Sequence, residues 1–252
     1  MNIVRFYFKG ETLYGNYNLT TKEITIYEGT PFEGFFTTNK NLTLDQVEIL
    51  CPCDFSKAIC IGLNYKDHAI EFDLPIPESP IVFLKPSTSA LAHNKVVIKP
   101  DMCERLDYEA ELAIVIKKKA KNVKIEDVSD YILGYTCAND ITARDLQPKK
   151  GQWTISKGFD TFCPFGFVIN TQLDPNNLKI SSKVNNKIMQ ESNTKNLIFD
   201  VPFLISYLSS IMTLLPGDII LTGTPGGISG MQKGDEVQVI IEGLPPLINT
   251  VG

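Results

Sequence analysis

Two glutamates stand two residues apart in the apolar run LDYEAELAIVI, residues 106–116. In an extended chain, residues i and i+2 share a face, with Cα atoms about 6.6–7 Å apart. Glu109 and Glu111 therefore lie beside Ala113 and Val115, while Tyr108, Ala110, Leu112, Ile114 and Ile116 form the opposite, core-facing side. That company makes the acidic side half-buried, where two carboxylates need a cation or one of them takes up a proton. A divalent ion would supply the charge; a wet face whose solvent screens the repulsion is the plainer alternative. Asp140, in GYTCANDITARD, is a third acid in a strand-like run, flanked by Asn139 and Thr142. Three carboxylates that leave open positions suit a hard cation such as Mg²⁺ or Mn²⁺. Spacing does not bring Asp140 to the pair. The fold must, with no lysine ammonium filling the space between the acids.

His68 and Glu71 are three apart in KDHAIEF, which has the composition of a short helix over residues 66–72, so they share a helical face. A carboxylate that orients an imidazole is the arrangement of a general base; a surface histidine with a chance neighbour is the alternative. The six cysteines include Cys51-Pro52-Cys53, which is CxC without a second pair, and reads as small buried residues rather than a zinc site. Lys117-Lys118-Lys119 reads as a solvated turn.

The elements that must hold these residues are mostly strands. Residues 1 to about 50 alternate β-branched and aromatic residues with Gly and Asn, which predicts a small β-rich N-terminal domain over 1–52, followed by a second domain over 53–252. KAICIGLNY (57–65), IVFLKP, KVVIKP, YEAELAIVI, YILGYTCANDIT and GDIILTG read as strands, and DEVQVIIEG as a half-exposed one. Three prolines in residues 73–80 predict an extended loop. LKISSKVNNKIMQE predicts a hairpin turning at Asn185-Asn186, and Asp200-Val201-Pro202 predicts a helix start, with the helix running to about Thr213. The fold class is α+β, predominantly β, built on mixed sheets with few short helices.

The chain has 252 residues, 43% of them hydrophobic, and a net charge of −5 without a basic patch, which speaks against nucleic acid as a partner. The N-terminus lacks an apolar h-region, and no uncharged apolar run reaches about 18 residues. A soluble cytoplasmic protein with reduced thiols and no membrane partner is the expectation.

The blocks IGLNYKDHAIE, PIVFLKPSTSA, LDYEAELAIVI, GYTCANDITARDLQ, GQWTISKGFDTFCPFG and GDIILTGTPGG together resemble the fumarylacetoacetate hydrolase family over roughly residues 54–252. The resemblance implies that family's catalytic fold of mixed β-sheets, a sandwich or roll, usually as a homodimer. It also implies one Mg²⁺ or Mn²⁺ held by Glu109, Glu111 and Asp140, and small 2-oxo acids or their enols as substrates. By the same resemblance His68 and Glu71 activate water, Lys157 stabilises negative charge on substrate oxygen, and Arg144 and Gln147 lie close to the bound ligand; for Arg144, pairing with acids is the alternative. Lys85 is a second basic candidate, for which a structural ion pair is the equal alternative. The Gly223 backbone N–H and the Thr224 hydroxyl, in a glycine-rich turn, suit a substrate carboxylate. Residues 66–80 match the family's lid. The expected reaction is Mg²⁺-dependent C–C cleavage, as in acylpyruvate hydrolysis or oxaloacetate decarboxylation. Isomerisation or decarboxylation of a hydroxydienedioate is the alternative, and a non-catalytic binder on the same fold is a third. Leu63 departs from the pattern, because hydrolase and decarboxylase members carry Arg there, and KKGQWTISKGFDTFCP resembles the isomerase-like branch.

Overall fold

The computed structural model describes residues 1–71, 73, 75–149 and 151–252. Phe72 in the expected helix, Leu74 in the expected proline loop and Lys150 in the block before Lys157 lie outside the described residues. Strands dominate and the sheets are mixed, as the alternation and β-branched content predict.

Among the described residues, an eleven-stranded sheet forms the spine. Its path runs through Gly34–Thr43, Glu23–Thr30, Glu11–Tyr17, Asn2–Phe8, Val168–Asn170, Ile132–Asn139, Ala110–Ile116, Ile219–Leu221, Ala58–Gly62 and Ile81–Lys85, with Glu48–Ile49 pairing on Asn2–Phe8. Ala110–Ile116 sits near its middle, antiparallel to both neighbours. A five-stranded sheet, containing the hairpin Lys179–Val184 and Lys187–Asn193 and the strands Glu236–Ile241 and Leu247–Val251, closes over one face. Leu112, Ile114 and Ile116 meet Ile180, Val239, Ile241 and Leu247 there, beside Leu204, Ile205 and Leu208 of the helix Val201–Ile211. Ala113 and Val115 point the other way, into a cluster with Cys60, Ile169, Ile219 and Leu221.

This corrects one expectation. The side carrying Ala113 and Val115 is not half-exposed, because every residue of Ala110–Ile116 is buried. Covering on both faces is the cause. The strand also starts later than expected: Leu106–Asp107 belongs to a separate small sheet, and strand pairing is interrupted at Tyr108-Glu109. KVVIKP contributes only Val96–Val97.

Local signals elsewhere hold. Asn185 and Asn186 both take positive φ (49° and 66°) at the hairpin turn, a conformation that Asn tolerates better than most residues. The Asp200 carboxylate accepts a hydrogen bond from the Phe203 amide and caps Val201–Ile211. Helix α1, Lys66–Glu71, and α2, Thr154–Lys157, are short. The six cysteines are free. Among the described residues, no helix is long and apolar enough to cross a membrane.

Candidate metal centre

Register brings the three acids together. Ala110 pairs with Asn139, so each strand has an acid just beyond this pair, at Glu109 and Asp140. The Asp140 amide donates to the Glu109 carbonyl (2.9 Å), and the Asn139 side chain accepts from the Glu109 amide (2.9 Å). Glu111 follows two residues on, inside the strand. One carboxylate oxygen from each of Glu109, Glu111 and Asp140 lies within 4.8 Å of the others, and all three side chains are buried.

Cations surround two of the acids. Lys157 Nζ donates to Glu109 Oε2 (2.8 Å) and Asp140 Oδ2 (2.6 Å). Lys85 Nζ bonds Asp140 Oδ1 and donates to the Ile141 carbonyl (3.0 Å). The Arg144 guanidinium bonds Glu109 Oε1, Gln147 Oε1 and Asp107 Oδ2 (2.8 Å for the last). Thr142 adds a hydroxyl hydrogen bond to Glu109 Oε1 (3.2 Å). The space between Glu109 and Asp140 is therefore spanned by an ammonium, contrary to the requirement set from sequence. Lys85 and Lys157 are two of the largest fully buried side chains, and a buried ammonium needs such anionic partners.

Glu111 differs. Its Oε2 accepts from the Gly223 amide (2.6 Å), a neutral donor. Gly223 holds φ +101°, and a Cβ there would meet Asn64 Cβ at 2.8 Å, so only glycine turns this amide onto Glu111. The Gly223 N–H, expected to hold a substrate carboxylate, is thus occupied by Glu111. Burial, then the Asp140 and Glu109 charges, push the Glu111 carboxyl well above the usual carboxylate range. Burial would do the same to Glu109, but Lys157 and Arg144 outweigh it and hold that carboxyl below its ordinary value. Burial would lower the Lys157 ammonium, yet Asp140 and Glu109 raise it. Of the two outcomes open from sequence, a cation or a proton, Glu109 and Asp140 meet the first, and the upward shift of Glu111 favours the second.

The donor set nevertheless fits a divalent ion. All the converging atoms are hard carboxylate oxygens, each with lone pairs beyond the one an ammonium takes. A divalent ion would bind the ionised form of Glu111 and so favour it.

Helix α1 brings His68 toward this cluster. His68 Nδ1 is 3.6 Å from Glu71 Oε2, and Glu71 Oε2 accepts from the Gly227 amide (2.9 Å). The imidazole is largely buried. Burial lowers its pKa, with Glu109 and Glu71 opposing in part. Asp67 bonds Ser192 and so ties the helix to the hairpin. Leu63, just before α1, has φ 50°. The Thr224 hydroxyl accepts from Gln190 Nε2 (2.8 Å). Gln190, Asn139, Thr142 and Asp107 support the cluster, and the sequence reading assigned none of them a role. Gln190 lies in a hairpin strand far along the chain, where no local signal marks it. Two open grooves elsewhere, of about 420 and 580 Å³, contain none of the candidate residues.

Comparison with known proteins places this geometry in context. Residues 57–252 match the family described as fumarylacetoacetate (FAA) hydrolase, C-terminal, and residues 1–52 match one described as Rv2993c-like, N-terminal. A mitochondrial oxaloacetate tautomerase of Rattus norvegicus is 45% identical, over 82% of this chain and 70% of its own. The crystal structure of 5-carboxymethyl-2-hydroxymuconate delta-isomerase from Mycobacterium smegmatis is 37% identical, with a TM-score of 0.93 over 100% of this chain and 99% of that one. A fumarylpyruvate hydrolase from Pseudomonas aeruginosa, solved with Mn²⁺ and pyruvate, is 32% identical, with a TM-score of 0.74 over 82% and 97%.

Proposed function

Because this chain belongs to the fumarylacetoacetate hydrolase family, whose members are enzymes, we propose that it is a divalent-metal-dependent enzyme that moves a proton at the carbon next to the carbonyl of a small 2-oxo acid, interconverting keto and enol forms. The observation that carries this reading is the convergence of three buried carboxylates within 4.8 Å. Mg²⁺, or Mn²⁺, is the proposed ion, held by Glu109, Glu111 and Asp140. When bound, it supplies a Lewis acid to the two chelating oxygens of a 2-oxo carboxylate.

The remaining roles fall to the chain's own groups. His68 is neutral at pH 7 because burial disfavours its charged form. It takes the proton on Nε2, the nitrogen away from Glu71, while Glu71 orients the ring. Lys157 faces the charge that develops on the carbonyl oxygen. Arg144 and Gln147, joined side chain to side chain, border the substrate, and Thr224 holds its carboxylate. Leu63 lacks the guanidinium of the hydrolase and decarboxylase pattern, which would touch a distal carboxylate, and so shifts the choice of substrate. The similarity to an oxaloacetate tautomerase supports proton transfer over cleavage.

A second reading keeps the site and cleaves a C–C bond, by acylpyruvate hydrolysis or oxaloacetate decarboxylation. The similarity to a fumarylpyruvate hydrolase and the His68–Glu71 pair favour it. Enol-oxaloacetate, keto-oxaloacetate and acetylpyruvate, each assayed with Mg²⁺, with Mn²⁺ and with chelator, separate the two. Metal-dependent decay of the enol absorbance without pyruvate formation is the expected result. Pyruvate release at a higher kcat/KM replaces it with cleavage, and no turnover in any arm removes both.

A further inference from the structure

We propose that Gln190 is a positioning residue whose single amide holds the acidic pair and the Thr224 hydroxyl in register; this rests on the 2-oxo-acid reading above. Gln190 lies on Lys187–Asn193, far from the acids in sequence, and is 1% exposed. Its Oε1 accepts from the Ala110 amide (3.0 Å), in the stretch between Glu109 and Glu111. Its Nε2 donates to Thr224 Oγ1 (2.8 Å) and to the Pro225 carbonyl (2.8 Å). Only the oxygen can accept from Ala110 and only the NH₂ can donate to a carbonyl, so this arrangement has one orientation.

Ligand binding feels this amide in two places. The hydrogen bond to Ala110 fixes the rotation of the peptide that joins Ala110 to Glu109, and so the direction in which the acidic pair leaves the strand. Thr224 Oγ1 accepts from Gln190, so the Thr224 proton turns to an acceptor elsewhere, as a substrate carboxylate requires. The turn that carries Thr224 is pressed onto this strand. Gly227 has φ +93°, and a Cβ there would lie 2.4 Å from the Met189 carbonyl oxygen. Local backbone pairing does not demand this particular side chain, since Gln190 pairs with Ser182 through the main chain.

Calorimetric titration of the full chain with Mn²⁺ alone, then with oxalate at saturating Mn²⁺, reads the two arms separately. Gln190→Glu keeps an acceptor toward Ala110 and loses both donors. Its Mn²⁺ affinity should stay within about threefold of the parent, while oxalate binding at pH 8 weakens about tenfold or more. Relative to the parent at the same pH, the oxalate defect should shrink toward pH 5.5, as the introduced carboxyl gains a proton and donates again. Thr224→Val should show the same oxalate defect, and combining the two should add nothing further. Gln190→Leu should weaken Mn²⁺ as well, and if it fails to fold the other two variants still decide. Oxalate binding by Gln190→Glu equal to the parent at every pH overturns the proposal. So does a fall in both affinities that only tracks lost thermal stability. A parent that binds no Mn²⁺ removes the functional reading and this one together; a parent that binds both ligands, with Gln190→Glu unchanged, removes this one alone.

Discussion

At the scale of single residues, the centre is a balance of buried charges. Glu109 and Asp140 are satisfied by Lys157, Lys85 and Arg144, and Glu111 is left to a neutral amide. Removing the ammonium in Lys157→Met leaves two carboxylates buried with one cation fewer. Breaking a buried pair of this kind costs about 3–5 kcal/mol. The variant should therefore melt roughly ten degrees lower in chelator. Mn²⁺ should recover part of that loss, because the ion replaces the missing charge. A melting temperature unchanged in chelator would show that Lys157 does not hold the acids together. His68→Ala should lower turnover by about 10²–10⁴-fold and leave Mn²⁺ affinity intact. The sign of the pH dependence follows from burial, which puts the folded pKa of His68 below the ordinary 6.5. The base is neutral at pH 7, and kcat should fall only as pH drops below about 6.5 through that depressed value. A rate that falls on the alkaline side of neutrality instead would exclude His68 as the base.

At the scale of elements, short local devices set the positions from which these residues act. The hairpin that carries Gln190 turns on two residues in the left-handed region, Asn185 and Asn186. Asn186→Ala should cost about 1–2 kcal/mol, and Asn186→Gly should cost nothing comparable, as read from chemical denaturation midpoints. Equal midpoints for the two would show that the turn relaxes to another conformation. Asp200 caps Val201–Ile211 through the Phe203 amide, so Asp200→Ala should lose about 1 kcal/mol with kcat unchanged. A loss of activity there, at full occupancy of the folded state, would tie that helix to the chemistry. These devices were legible in the sequence because a cap or a tight turn depends on a few adjacent residues. The interruption at Tyr108-Glu109 was not, because it arises from the strand pairing of Leu106–Asp107 with Thr142–Ala143 and Gly230–Met231.

At the scale of the whole molecule, the first 52 residues share the spine of the rest. Asn2–Phe8 pairs with Val168–Asn170, and Val4 and Phe6 share an apolar cluster with Phe167 and Val168. A chain beginning at Cys53 would uncover that cluster and a strand edge, so it should be insoluble or strongly destabilised. A soluble truncated chain with the melting temperature of the full one would show the N-terminal part to be separable.

The sequence by itself determined the predominantly β class, the hairpin, the capped helix and the identity of the three acids, since periodicity, turn chemistry and motif blocks are local or nearly so. Only the tertiary structure decided how those acids are neutralised. The register of Ala110 on Asn139 delivers Asp140, α2 delivers Lys157, and a distant hairpin delivers Gln190. Burial on both faces then makes every charge in the centre answer to a partner that chain order does not reveal.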